Sequence, residues 1–193
     1  MAGEFIYDVE QIRARARRQM SEGARTEAYQ GDVKHTIELL NAALATEIVC
    51  VLRYRHHYYM ASGLEREAAA REFDEHATNE QEHADRLARR IQQLGGAPDL
   101  NPANLLTRSI SVYAAGSSLT EMIQEDLVAE RAVIEVYSEM IRHFAFRDPS
   151  TRSLLEDLLR DEEEHANDMA ELLYLVNPAT GETKGEDPLA RAS

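Results

Sequence analysis

With a single cysteine, Cys50, the chain has no partner for an internal disulfide, which fits a reducing compartment and sets a cytoplasmic location as the expectation. Proline and glycine are scarce too, at 5 and 9 of 193 residues, which favours a few long helices. No uninterrupted run of about 18 apolar residues is present, so no membrane span is expected. The stretch from Met1 to Gln30 mixes Arg with Glu and lacks the apolar segment of a secretory signal. Positive charge is in deficit: 21 Lys and Arg stand against 35 Asp and Glu, for a formal net charge of −14. That balance disfavours general binding to DNA or anionic membranes. It suits a protein that handles cations, although most acidic proteins use such charge only for solubility. The length suits one domain with a sizeable core.

Five stretches carry helical signals. The first, residues 8–28, is charged and weakly amphipathic through Ile12, Ala16 and Met20. Four long ones follow at 33–61, 65–94, 118–146 and 149–175. Asp32 is placed to cap the second, Ser118 and Glu121 have capping-box spacing, and Asp148 precedes Pro149 at the start of the fifth. Gly63 and Gly95-Gly96 are stop signals. Residues 62–64 and 147–148 are short enough to be tight turns within antiparallel pairs, whereas 95–116 can run the length of a bundle. Two hairpins joined by one long crossover is the ferritin-like arrangement of an all-α four-helix bundle. The organisation expected is an N-terminal helical extension (1–31), the bundle (32–176) and a flexible tail (177–193).

Chemistry enters when the core stripe of each long helix is written at spacings of three and four. The stripes read Leu40, Leu44, Glu47, Val51, Tyr54; then Phe73, His76, Glu80, His83, Leu87; then Ile123, Asp126, Glu130, Val133, Tyr137; then Leu155, Leu158, Glu162, His165, Met169. Every helix thus sets a glutamate in the middle of an apolar face. Four buried carboxylates repel one another and cost several kcal/mol each in desolvation. Two divalent cations would balance them. Glu80 with His83 and Glu162 with His165 each place a carboxylate and an imidazole three residues apart on one face. Oxygen donors with two imidazoles suit iron or manganese better than a thiolate-type zinc site. The pattern also repeats: 33 residues separate Glu47 from Glu80 and 32 separate Glu130 from Glu162, while Tyr54 and Tyr137 each follow their glutamate by seven. Single motifs of this kind are usually solvated pairs; the doubled set is far more specific. Glu82, Glu163 and Glu164 fall off the stripes, and Cys50 reads as a small core residue. His76 and Glu75 could be secondary cation ligands, with packing or surface roles the plainer reading. His56 and His57 are assigned nothing.

In LNAALATEIVCVLRY, EQEHADRLARRIQQLGGAPDLNP and LLRDEEEHANDMAELL the chain resembles the bacterioferritin branch of the ferritin-like superfamily, over roughly residues 32–175. The resemblance implies two irons per subunit, with manganese the alternative. By it, Glu80 and Glu162 bridge the irons, Glu47 with His83 completes one, and Glu130 with His165 completes the other. Tyr54 takes the position of the ferroxidase-centre tyrosine and is the expected catalytic residue. The sequence departs from the family in three places. Gln81 stands where bacterioferritins carry a haem-ligating methionine, so haem is not expected. Glu75 stands where they carry an inner-surface iron-site histidine. No counterpart of the short fifth helix of 24-subunit shells follows Val176. With the N-terminal extension, these features resemble Dps-like proteins of 12 subunits that carry a bacterioferritin-type centre.

The expected function is therefore a ferroxidase for iron storage or detoxification, with Fe(II) and peroxide or dioxygen as partners. The expected assembly is a homo-oligomeric shell, of 12 subunits rather than 24. Rubrerythrin-like or manganese-catalase-like peroxide scavenging uses the same six ligands and is the rival. DNA binding of the Dps type would rest on Arg13, Arg15, Arg17 and Arg18, which Glu4, Asp8, Glu10, Glu22 and Glu27 nearly neutralise. It is the less favoured reading.

Overall fold

The computed structural model describes residues 8–61 and 67–176. Its long helices are α2 (Val33–Met60), α3 (Glu67–Gln93), α5 (Leu119–Phe144) and α6 (Pro149–Val176), preceded by the short α1 (Val9–Arg18). Gly63 and the turn at 62–64 lie outside the described residues, as does the tail from residue 177.

The helix ends follow from local chemistry. Asp32 accepts from His35 N–H at 3.1 Å, capping α2. Gly95, at φ +83°, ends α3: Gly96 N–H reaches Ile91 O and Gly95 N–H reaches Gln92 O, the paired bonds of a glycine-terminated helix. At α5, Ser118 accepts from Glu121 N–H, but the Glu121 carboxylate reaches Ser117 N–H, so the box closes one residue early. Asp148 does more than cap α6. Besides Thr151 N–H (2.9 Å) it accepts from Arg90 of α3 (2.8 Å) and Tyr29 (3.0 Å), which joins the arm to the end of the bundle.

Side-chain pairs fix the directions. Glu47 faces His83 and Arg55 faces Asp74, so α2 and α3 run antiparallel. Tyr54 meets Glu130 while Tyr137 meets Glu47, so α5 opposes α2. His76–Asp168 and Arg90–Thr151 do the same for α3 and α6. With these directions, the segment between α3 and α5 must travel the length of the bundle. It carries a 3-10 turn at Pro102–Asn104 and a four-residue helix, α4 (Leu105–Arg108), neither of which the sequence pattern announces. Polar residues along α2 hold it: Asn41 Oδ1 accepts from Asp99 N–H (2.7 Å), Thr46 Oγ1 from Ile110 N–H (3.0 Å), and Arg53 donates to Ser111 Oγ (2.7 Å).

Two expectations need correction. The N-terminal helix ends at Arg18 and is followed by a 3-10 turn at Met20–Glu22, because the chain turns at Gly23 with φ +60°. None of its residues is buried, and Ile12 and Met20 stay 42% and 79% exposed. The α2 stripe is also wider than drawn: Val51 is only half-buried, whereas Cys50 and Arg53 are buried. The crossover covers a second side of α2, so its burial is not limited to one seam. The other three stripes are buried throughout. By length and composition α2 could cross a membrane, but it carries the buried Glu47, Arg53 and His57 and lies half inside the bundle.

Candidate metal centre

Midway along the bundle, α2, α3, α5 and α6 bring Glu47, Glu80, Glu130 and Glu162 together with no side chain exposed. The two histidines enter with the same nitrogen. His83 Nδ1 lies 3.0 Å from Glu162, 3.2 Å from Glu80 and 3.7 Å from Glu47. His165 Nδ1 lies 3.4 Å from Glu80, 3.7 Å from Glu162 and 4.0 Å from Glu130. Two overlapping sets result, Glu47–Glu80–His83–Glu162 and Glu80–Glu130–Glu162–His165, with Glu80 and Glu162 shared. All six residues singled out by sequence are therefore in one place.

The outer nitrogens are held by residues that sequence reasoning missed. His83 Nε2 pairs with Asp161 (3.2 Å) and His165 Nε2 with Asn79 (3.3 Å). Each partner directly precedes the shared glutamate of the opposite helix, which is the signal that could have found it. Such partners fix ring orientation at metal-binding imidazoles. Tyr54 O–H donates to Glu130 Oε1 at 2.6 Å, and Tyr137 O–H donates to Glu47.

Electrostatics test whether cations fit. Five carboxylate oxygens of Glu47, Glu80, Glu130 and Glu162, and Nδ1 of His165, are buried without a hydrogen-bond partner. An orphan of this kind costs about 1–3 kcal/mol, and more when charged. Burial, then the charges of neighbouring glutamates, pushes Glu47 and Glu130 well above the usual carboxylate range. Burial opposes ionisation of Glu80 and Glu162 as well, but contacts that include both histidines hold both low. The histidines move up in turn: burial disfavours their charge, yet the carboxylates outweigh it and carry His165 to about 9. Protons thus do the balancing that two divalent cations would do, and the donor set fits such ions.

A polar network missed by the sequence reading backs the Glu130 side. Arg53, fully buried, donates Nε–H to Asp126 Oδ1 (2.6 Å), and His57 Nδ1 meets Asp126 Oδ2 (2.8 Å). His57 Nε2 reaches Ala114 O (3.1 Å), so a histidine assigned nothing ties the crossover to α5. Cys50 is buried with its Sγ 3.6 Å from Arg53, and burial pushes its thiol up. His76 is buried, whereas Glu75 faces solvent. Glu82, Glu163 and Glu164 are exposed.

An antiparallel four-helix bundle with one buried glutamate per helix and two inward histidines defines the class. The chain belongs to the ferritin-like family: the model described as "Ferritin-like domain" matches residues 37–177. Within it the chain is 30% identical to a bacterioferritin of Rhodobacter capsulatus, over 72% of this chain and 81% of that one. It is 31% identical to a "DNA protection during starvation protein" of Pyrococcus furiosus, over 74% and 78% respectively. Among solved structures it is similar to a dodecameric thioferritin, the bacterioferritin-related protein from Bacteroides fragilis. That match has a TM-score of 0.72 and 30% identity, covering 78% of this chain and 89% of that one.

Proposed function

We propose that the chain is a ferroxidase of an iron-storing or iron-detoxifying shell. It takes up two Fe(II) as substrate at Glu47, Glu80, His83, Glu130, Glu162 and His165. Two electrons, one from each iron, pass to hydrogen peroxide, which with two protons leaves as two waters, or to dioxygen, which with two protons leaves as hydrogen peroxide. Glu80 and Glu162 lie between the two positions, while Glu47 with His83 and Glu130 with His165 close either end. Tyr54 is the catalytic tyrosine, its hydroxyl on Glu130. The observation that carries this reading is the convergence of unpartnered buried carboxylate oxygens on one point of the bundle. Membership of an iron-binding family supports the choice of metal.

Anaerobic Fe(II) loading followed by rapid mixing with peroxide or dioxygen tests it. The wild type should oxidise iron in pairs. Glu80→Gln/Glu162→Gln should abolish the fast phase while sparing the fold, since removing buried charge is often neutral or stabilising. Wild-type rates in that variant would dismiss the site. Oxygen evolution from peroxide by manganese-loaded protein, without iron oxidation, would assign peroxide scavenging instead.

The assembly proposed is a shell of 12 copies. The exposed Ile12 of α1 and Met20 of the turn after it need a neighbour, and the similarity to a dodecameric relative supports the number. Light scattering should give about 12 times 21.8 kDa; a mass twice that would restore the larger shell, and a dimer would dismiss a cage.

A further inference from the structure

Beside the Glu130–His165 half of the centre, and outside it, a second cluster of ligand-type side chains joins α3 to α6. The His76 side chain is only 3% exposed, while those of Glu72 and Asp168 are 41% and 40% exposed. We propose that Glu72, His76 and Asp168 form a third divalent-cation site, open to solvent on its carboxylate side.

The geometry is that of a small cage. His76 Nε2 lies 3.4 Å from Asp168 Oδ2 and 3.9 Å from Glu72 Oε2, and one ligand atom from each of the three residues falls within 4.8 Å of the others. Ligand atoms around an ion with bonds of about 2.1 Å stand roughly 3.0–3.4 Å apart, so the set closes on a cation by drawing its two part-exposed carboxylates inward.

Hydrogen bonding leaves one His76 nitrogen available to a cation. The Tyr54 hydroxyl hydrogen is committed to Glu130 at 2.6 Å. The Tyr54 oxygen is then free to accept from His76 Nδ1, 3.3 Å away, in the tautomer that places the proton on that nitrogen. Nε2 is left with a lone pair aimed at two carboxylates. Three electron-rich atoms facing one another are stabilised by a cation placed among them.

Bundle symmetry gives an independent argument. Glu80 and Glu162, like His83 and His165, are 82 residues apart and occupy equivalent places. The same step takes Glu72 to Leu154 and His76 to Leu158, and the counterpart of Asp168 is Arg86. Packing of α3 on α6 is satisfied on that other side by leucines and by an Arg86–Asp157 pair at 3.0 Å. The Glu72–His76–Asp168 set thus has no equivalent on the other side, where leucines and an Arg–Asp pair complete the packing.

One imidazole and two carboxylates, completed by water, suit a first-row divalent ion such as Fe(II), Co(II) or Zn(II). The His76 ring stacks on His165 with centroids 4.1 Å apart. An ion in the cage would stand one ring away from a ligand of the centre, as a staging position for incoming metal. Only that staging role rests on the ferroxidase reading.

Anaerobic calorimetric titration of the full chain with Co(II) provides the test. Wild type should bind three ions per chain. Glu72→Gln/Asp168→Asn, which alters only half-exposed side chains, should bind two, with an unchanged melting temperature as the check on folding. Equal stoichiometry in these two proteins overturns the proposal and leaves the triad a proton-mediated ion pair. Glu80→Gln/Glu162→Gln reports separately on the centre: it should lose centre ions but keep the one removed by the triad substitutions. Loss of that ion as well would also overturn an independent third site.

Discussion

Tyr54 of α2 donates its hydroxyl to Glu130 of α5 across 2.6 Å, and Tyr137 of α5 returns the same bond to Glu47 of α2. The two tyrosines are symmetry mates in the bundle, but their surroundings differ: Tyr54 also contacts His76, whereas Tyr137 packs in the apolar cluster with Val133 and Met140.

Paired substitutions separate a structural role from a catalytic one. Tyr54→Phe and Tyr137→Phe each strip a buried carboxylate of a donor, so each should destabilise the metal-free protein by about 1–3 kcal/mol in urea unfolding. Only Tyr54→Phe should slow Fe(II) oxidation markedly in stopped-flow absorbance. Equal slowing in both variants would deny Tyr54 a particular role.

Metal uptake should release protons. Burial and the neighbouring glutamates raise Glu47 and Glu130 and so favour their protonated forms, while the carboxylates favour the imidazolium forms of His83 and His165. Binding two divalent cations with all four carboxylates ionised and both imidazoles neutral would release up to about four protons per chain. Titration with Mn(II) in buffers of different ionisation enthalpy counts them. Affinity should weaken as pH falls, and release of one proton or none would contradict the charge assignment.

Stability of the metal-free protein should fall as pH rises. Glu47 and Glu130 have folded values above their unfolded ones, so the folded chain binds more protons and loses stability as pH climbs from the ordinary carboxylate range. His165 acts in the same direction: its contribution is complete below about 6.5 and lost through about 9. Glu80 and Glu162, held low, give the opposite slope only in acid. Melting temperatures with chelator should decline between about pH 6.5 and 9, and added Mn(II) should flatten the decline.

The Arg53–Asp126 pair offers a prediction away from the ligands. Asp126→Ala leaves a fully buried guanidinium without its main acceptor, which should cost about 3–5 kcal/mol. Arg53→Met/Asp126→Leu should recover most of that in urea unfolding. Full stability of Asp126→Ala would show that Ser111 and Val112 O suffice for Arg53.

The protein should also carry no methionine-ligated haem. Gln81 is exposed, its amide bonded to Asp85 at 3.1 Å, and an amide is a poor haem-iron ligand. A stoichiometric Soret band lost on changing Gln81 would refute this.

The four long helices and the six clustered candidate ligands were legible because each motif had a local cause. Glycine or an acidic cap marked the ends, and a charge inside an apolar stripe marked the site. Arg53 and His57 were not legible, because a stripe drawn at three-four spacing assumes one buried seam per helix. Their burial depends on where the crossover lies, a relationship between segments some 60 residues apart. Helix α4 was hidden for the same reason: its four residues are held by packing on α2 through Leu105 and have no amphipathic period of their own.

The crossover has a bearing on traffic. Pinned by Asn41, Thr46, Arg53 and His57, it turns the α2–α5 side of the bundle into a wall that opens only if several buried or part-buried bonds break together. The α3–α6 seam is a different surface, with partly exposed Asp157, Asp161, Glu72 and Asp168 side chains standing outside the two histidines. Rotamer changes of exposed side chains such as these take picoseconds to nanoseconds. Movement of those side chains asks nothing of the helices, so the backbone of the bundle can stay rigid while that surface rearranges.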